Sequence, residues 1–375
     1  MIYLDNAATT YPKPEMVYKA LDKSFRKYSV NIGRGSYKRA REAYEIYDDT
    51  KKRLKKLVNA SNSKVIFEAS ATDSFNSIIR GLNIPENSNV YITPFEHNAV
   101  ARTLKYYSKK NNFNINLIPY NNASDINKEK FINMCVLNKP DYLFVNHVSN
   151  VTGYITDLNR ILEVLDDYDV IKILDASQSL GLVDIDFDNS GFDHLIFAGH
   201  KTLYGPFGIA GYITNAIGKI TPTKFGGDGR DSLNIKKWDN FEVGSKNINA
   251  IIGLNESLKW IEKIGVKKIF NHKLKLTKIL SEKLSGIYEI EPIVNNNRKK
   301  QIGIISFNHK NYYPDEVADI LDNDFNIAVR SGYHCAPYIH DLLNTKNKGG
   351  TVRVSFGYFN NKESIDRLIE SLDML

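Results

Sequence analysis

Apolar residues at Ala40, Ala43, Tyr44, Tyr47, Leu54, Leu57 and Val58 recur three, four and seven positions apart, which places them on one face of an α-helix. Downstream, short apolar runs alternate with stretches of helical period. Val65-Ile66-Phe67 predicts a strand and Thr72 to Leu82 a helix. Val90-Tyr91-Ile92 predicts a second strand, followed by a helix through Val100, Leu104 and Tyr107. Tyr142-Leu143-Phe144-Val145 is a third, with a helix around Leu158 to Leu165. The runs Val170 to Leu174 and His194 to Phe197 are almost continuously apolar, as strands covered on both faces must be. Strands alternating with helices predict an α/β domain with a mostly parallel sheet.

The texture changes near positions 247–260. A long helical region is predicted to about Leu284, then strands at Tyr288–Ile293 and Ile302–Phe307 and a helix through Val317 and Leu321. Strands at Ile327–Arg330 and Val352–Ser355 and a helix from Lys362 to Leu372 complete a smaller α+β part. With 375 residues, 42% of them hydrophobic and 25% charged, the composition is that of a globular chain and excludes a mainly disordered or fibrous one. No run approaches the length of a membrane span, and the start, Met1-Ile2-Tyr3-Leu4-Asp5, lacks a basic region before an apolar one. Two cysteines, Cys135 and Cys335, exclude a disulfide scaffold, so a cytoplasmic protein is expected. The net charge of +7 is read as solvated lysine on helix faces, not as a nucleic-acid surface, because the densest basic run, Lys51 to Lys56, lies inside the amphipathic helix.

The chemistry concentrates between Ile173 and Lys201. One apolar strand ends in Asp175-Ala176-Ser177-Gln178, at the sheet edge where open α/β folds bind ligands. The next runs into Ala198-Gly199-His200-Lys201. A lysine and a carboxylate on two such strand ends suit pyridoxal phosphate: the amine forms a Schiff base, and the carboxylate keeps the pyridine nitrogen protonated. An ordinary Asp–Lys pair at the sheet rim fits the same residues.

The ordered set Tyr3-Leu4-Asp5-Asn6-Ala7-Ala8-Thr9-Thr10, Glu96-His97-Asn98, Ser149-Asn150-Val151-Thr152-Gly153, Asp175-Ala176-Ser177-Gln178, Gly199-His200-Lys201 and Arg330-Ser331-Gly332-Tyr333-His334-Cys335-Ala336 resembles the cysteine desulfurases. These belong to the class V aminotransferase group of fold-type I enzymes. The resemblance spans nearly the whole chain. It implies a large pyridoxal-phosphate domain over 15–247 and a small domain made of 1–14 and 248–375. It implies that Lys201 carries the cofactor, Asp175 pairs with its ring nitrogen, Gln178 bonds the ring oxygen, His97 stacks on the ring and Asn150 sits near ring and substrate. Phosphate contacts are implied for Ala71, Thr72 and His200. The family's usual hydroxyl residue three places before the lysine is replaced by Ala198, so one phosphate contact is missing; that bears on cofactor affinity and not on its identity. Ser245, in Phe241-Glu242-Val243-Gly244-Ser245-Lys246-Asn247, is implied to reach a neighbouring subunit's site, hence a homodimer with shared sites. Arg353 is the implied ligand of the substrate carboxylate, and Arg34, in Gly33-Arg34-Gly35, a second implied substrate-binding arginine near the mobile substrate entrance.

Cys335 selects the reaction. Gly332 and Pro337 place it on a loop, where Arg330 or His334 can favour a thiolate, whereas Cys135 has the helical neighbours of a core thiol. The implied activity takes sulfur from L-cysteine, leaves a persulfide on Cys335 and releases L-alanine, with a sulfur-acceptor protein to follow. A selenocysteine lyase or another class V lyase or aminotransferase is the neighbouring alternative. An inactive scaffold for an acceptor protein or tRNA is the non-enzymatic one. No metal is expected, since His334, Cys335 and His340 lack an established ligand spacing.

Overall fold

The computed structural model describes residues 1–32, 35–227, 233 and 239–375. Seven strands form the main sheet, in the spatial order Lys64–Glu68, Ala210–Thr214, His194–Ala198, Ile171–Asp175, Tyr142–Asn146, Asn89–Ile92 and Asn114–Leu117. Ala210–Thr214 runs antiparallel to both of its neighbours, and every other pairing is parallel. The near-continuous apolar runs have the expected cause. Successive side chains point to opposite faces, and both faces are covered. Phe144, Ile173, Ile196 and Tyr212 pack into one core with Phe75, Ile78 and Leu104, from the helices Ala71–Gly81 and Asn98–Asn111. Leu143, Leu174, Leu195 and Phe197 pack into the other, with Leu254, Leu258 and Ile261 from the helix Ile248–Ile264.

A second, antiparallel sheet has the order Ile290–Ile293, Ile304–His309, Thr351–Ser355, Arg330–Gly332. Its core joins Ile305, Phe307, Val352 and Val354 to Leu276, Val317, Leu321, Ile365 and Leu368 from three helices. Leu4 is buried in the same core, and Ile2–Tyr3 pairs in parallel with Ile327–Ala328. The helix Val266–Leu284 spans both cores: Ile269 packs with the large sheet, and Leu276, Leu280 and Leu284 with the small one.

Several elements differ from the sequence-based prediction. The single helical region to Leu284 is two helices, because Gly265 sits at φ +90°, outside the helical range. Ile327–Arg330 is not one strand: Ile327–Ala328 pairs with the N-terminus, and Arg330–Gly332 pairs with Thr351–Ser355. The helix around Leu158 to Leu165 is α-helical only to Leu162 and finishes as a 3-10 turn. Other elements have no local pattern that predicts them, among them the helix Glu15–Lys27 and the strands Asn114–Leu117 and Ala210–Thr214. Asn114–Leu117 is an edge strand with alternating asparagines. Ala210–Thr214 contains Gly211, and a Cβ there would collide with the Ile66 carbonyl oxygen. Close strand approach explains a glycine that reads locally as a breaker.

Candidate active site

Strands that end together leave their last residues side by side. Asn146 lies opposite Asp175 in register, and Ala198 closes the next strand. A cavity of about 250 Å³ opens at this edge. Its wall brings together Ala71, Thr72, His97, Asn150, Asp175, Gln178, His200, Lys201, Cys335 and Arg353, which the sequence scatters over more than 280 positions. Ser245 is not on this wall; it is exposed, and its Oγ accepts a hydrogen bond from Asn31 Nδ2 at 3.3 Å. Arg34 lies outside the described residues.

Backbone geometry fixes each side chain. Asp175 ends its strand, with Oδ1 accepting from the Ser177 N–H at 2.9 Å and Oδ2 from Asn146 Nδ2 at 3.3 Å. Gln178 Nε2 donates to the Ala7 carbonyl at 2.7 Å, tying the N-terminal segment to the cavity. Lys201 follows its strand through Gly199, where a Cβ would meet the Ile209 carbonyl oxygen. Burial drives the Lys201 pKa down; Arg353 and Arg330 add to that, while Asp175 and Cys335 oppose it. The amine is therefore biased toward its neutral, nucleophilic form.

His97 has two positions to satisfy. It is the N-cap of Asn98–Asn111, its Nδ1 accepting from the Ala99 N–H at 3.0 Å, and it also lines the cavity. Burial, with the Lys201 charge, pushes its pKa down to about 4, so the ring is neutral at physiological pH with its proton on Nε2. Ala71 and Thr72 open the helix Ala71–Gly81, where first-turn N–H groups have no intrahelical partner and suit an anion.

Cys335 is exposed, and Cys135 is buried in the core. The Cys335 loop is held from both sides. Its carbonyl accepts from the Asn98 N–H at 2.7 Å, and the His334 carbonyl accepts from Asn150 Nδ2 at 2.6 Å. His334 and Cys335 both have positive φ, 49° and 58°. Burial holds the His334 imidazole well below its ordinary pKa. A neutral ring gives a thiolate no charge, which leaves Arg330 as the cation of the pair considered for that role.

Arg353 is 2% exposed. Its Nη2 donates to Asp5 Oδ1 at 2.6 Å and Nη1 to the Asn150 carbonyl at 2.9 Å. Arg330 Nη1 lies 3.5 Å from the other Asp5 oxygen. One carboxylate from the N-terminal segment thus serves two arginines. Asp5→Ala would leave Arg353 buried without its counter-charge, and a loss of about 3 kcal/mol in urea unfolding is expected. A change below about 1 kcal/mol would show that the pair does not hold the segment.

Six buried polar atoms on residues of the wall have no partner among the described residues: Asn146 Oδ1, Asn150 Oδ1, Ser177 Oγ, His200 Nδ1, His334 Nδ1 and Arg353 Nε. Buried polar groups are rarely left so unless a ligand or water completes them. Together with a buried lysine, a strand-end carboxylate and a helix N-terminus, this donor set fits a phosphorylated pyridine aldehyde and an amino-acid carboxylate. Asp5, Asn146 and Ser177 were assigned no role from sequence. Asp5 and Ser177 lie inside quoted motifs, while Asn146 is revealed only by strand register.

Residues 2–368 match the family described as aminotransferase class-V. A "Probable cysteine desulfurase" of Methanothermobacter thermautotrophicus is 30% identical over 382 residues, covering 99% of this chain and 94% of that one. Another so named, from Halalkalibacterium halodurans, is 31% identical over 385 residues, covering 100% and 92%. Among solved structures, the apo cysteine desulfurase of Thermococcus onnurineus matches with a TM-score of 0.90 at 28% identity, over 99% of this chain and 94% of that one. The shared architecture is that of fold-type I enzymes. On the full-length match, and with a lysine and an aspartate at the two strand ends, the chain belongs to the class V aminotransferase family, beside relatives named as cysteine desulfurases.

Proposed function

We propose that this protein is a cysteine desulfurase that takes sulfur from L-cysteine, leaves it as a persulfide on Cys335 and releases L-alanine. The observation that carries the reading is an exposed cysteine on the wall of the cavity that also holds Lys201, Asp175 and Arg353. A plain aminotransferase needs no such thiol. Pyridoxal phosphate, when bound, supplies an electron sink for the substrate Cα. Lys201 holds it through Nζ, Asp175 keeps its ring nitrogen protonated, and His97, Asn150 and Gln178 hold the ring. The Ala71 and Thr72 N–H groups, the Thr72 hydroxyl and His200 take the phosphate.

Arg353 Nε–H, buried and without a partner among the described residues, donates to the substrate carboxylate. Lys201 Nζ would take the Cα proton of the bound amino acid; its depressed pKa leaves the amine free to do so. Cys335 Sγ then attacks the substrate sulfur. The S–S bond forms as the carbon–sulfur bond breaks, and the carbon takes up a proton to become the methyl group of alanine. Sulfur is conserved, and no external oxidant enters. Incubation with L-cysteine should yield alanine and a 32 Da gain on the Cys335 peptide, about one sulfur atom, removable by a reducing thiol. Keto acid in place of alanine would sink the reading in favour of transamination.

The same reading carries the organisation with it. Residues 15–247 form the cofactor-binding part, and 1–14 with 248–375 the part that presents Cys335 and Arg353. Two chains pair so that Ser245 completes the neighbour's phosphate site, which accords with its exposed position away from its own cavity. Mixing subunits of two inactive variants, Lys201→Ala and Ser245→Trp, should restore up to about a quarter of wild-type activity, because one hybrid site keeps both residues. No recovery after verified subunit exchange would rule out sharing. Among the described residues no helix is long and apolar enough to cross a membrane. We place the enzyme in the cytoplasm, where a free catalytic thiol persists.

A further inference from the structure

Cys335 faces two cavities. Beyond the one that holds Lys201 lies a second, of about 550 Å³, within the range of small-ligand sites. Arg330, His334 and Cys335 belong to both walls, so the thiol loop borders both cavities. Among the described residues, the second wall carries Arg102, Arg330 and Lys346 and no carboxylate. Arg330 is paired with Asp5, and Lys346 with Asp341 at the surface. The Arg102 guanidinium has no ion-pair or hydrogen-bond partner among the described residues. His334, 5% exposed, adds to the thiol loop a ring nitrogen without a partner among the described residues. A concave wall of one sign concentrates the opposite charge.

We infer that this second cavity is the acceptor site for a low-molecular-weight thiol bearing carboxylates, which discharges the sulfur of Cys335 from a cavity other than the one that holds Lys201. The inference rests on Cys335 as the persulfide carrier. The acceptor thiolate attacks the outer sulfur, a new S–S bond forms, and the bond from that sulfur to Cys335 Sγ breaks. Cys335 leaves as a thiolate and takes up the proton given up by the acceptor. The acceptor departs as a persulfide, and no oxidant or reductant is consumed. A thiol that lines both cavities lets loading and discharge use different ones, so the acceptor need not displace substrate.

The first test does not require sulfur chemistry. On the protein as purified, Cys335 should react with iodoacetate about tenfold faster, relative to neutral iodoacetamide, than a free thiol such as N-acetylcysteine does. Peptide mass identifies the site, since Cys135 is buried. The double variant Arg102→Ala with Lys346→Ala should lose the preference, and Arg102→Lys with Lys346→Arg should keep it. The second test loads the enzyme with L-cysteine to one alanine per site, removes the excess, and follows discharge to glutathione or to cationic cysteamine. Glutathione should saturate and be favoured about tenfold in kcat/KM per thiolate, with that advantage lost in the alanine double variant and loading unchanged.

Normal loading with equal rates for the two thiols, or an unaffected double variant, overturns the inference while leaving the desulfurase reading intact. Discharge only to a protein cysteine overturns it in favour of a macromolecular acceptor. If no sulfur loads on Cys335, the desulfurase reading fails and the acceptor role with it; the alkylation result then stands only as anion binding.

Discussion

Cys335→Ala is expected to reduce alanine formation from L-cysteine by about 10³-fold or more, the scale on which loss of a nucleophile acts. Cofactor binding should survive. The change removes a thiol from an exposed loop, and the hydrogen bonds that fix that loop run through backbone atoms of His334 and Cys335. Lys201, Asp175 and Arg353 stay in place, so the variant should remain yellow and its spectrum should still change when L-cysteine is added. Removal of the Cα proton and capture of sulfur are separate steps served by separate groups. Exchange of the substrate Cα proton with deuterated solvent should therefore continue while alanine does not accumulate. Full alanine production by this variant would overturn the persulfide route. A selenocysteine lyase is the alternative it discriminates, because selenium leaves carbon more readily than sulfur and depends less on a thiol.

Glu96→Gln is expected to make the protein more stable at pH 8 and to flatten its dependence on pH. Glu96 is fully buried; its Oε1 accepts from the Thr93 hydroxyl at 2.6 Å and from the Asn146 N–H at 2.8 Å, and its Oε2 has no partner among the described residues. Burial, reinforced by the charge on Asp175, pushes its pKa up to about 8. In the unfolded chain the same group ionises near its ordinary value of 4.5. Between those two pH values the folded state holds a proton that the unfolded state has lost. Stability is therefore complete below the lower value and falls as pH rises through the upper one, by about 1.4 kcal/mol per unit. Glutamine keeps the acceptor oxygen and carries no charge to bury. Urea unfolding from pH 5 to pH 8 should show the wild type losing a few kcal/mol more than the variant. Parallel profiles would mean that Glu96 is ionised in the folded protein.

What could be read from the sequence was local or ordered along it. The runs at Val170–Leu174 and His194–Phe197 had to be covered strands, because neither face carries a polar residue often enough to meet water. Turn residues around Cys335 gave its loop, and the helical neighbours of Cys135 gave its burial. The order of the motifs, more than any single one, pointed to the family, since a lysine and an aspartate on two strand ends fit an ordinary ion pair equally well.

The tertiary structure decided what depends on register and on contacts between distant segments. Asp5 meets Arg353 across 348 positions, and no periodicity links the two. Asn146 supports Asp175 only because their strands pair in that register. Gly211 reads as a strand breaker until Ile66 is seen against it, and Gly265 breaks a helix whose pattern runs on. That Cys335 lines two cavities, one of them lined by cations alone among the charged groups of the described residues, is a property of folded surfaces. Sequence pattern records which face of an element is apolar; which other face it meets is set by packing the whole chain, and there the reacting groups acquire their neighbours, their charge and their access.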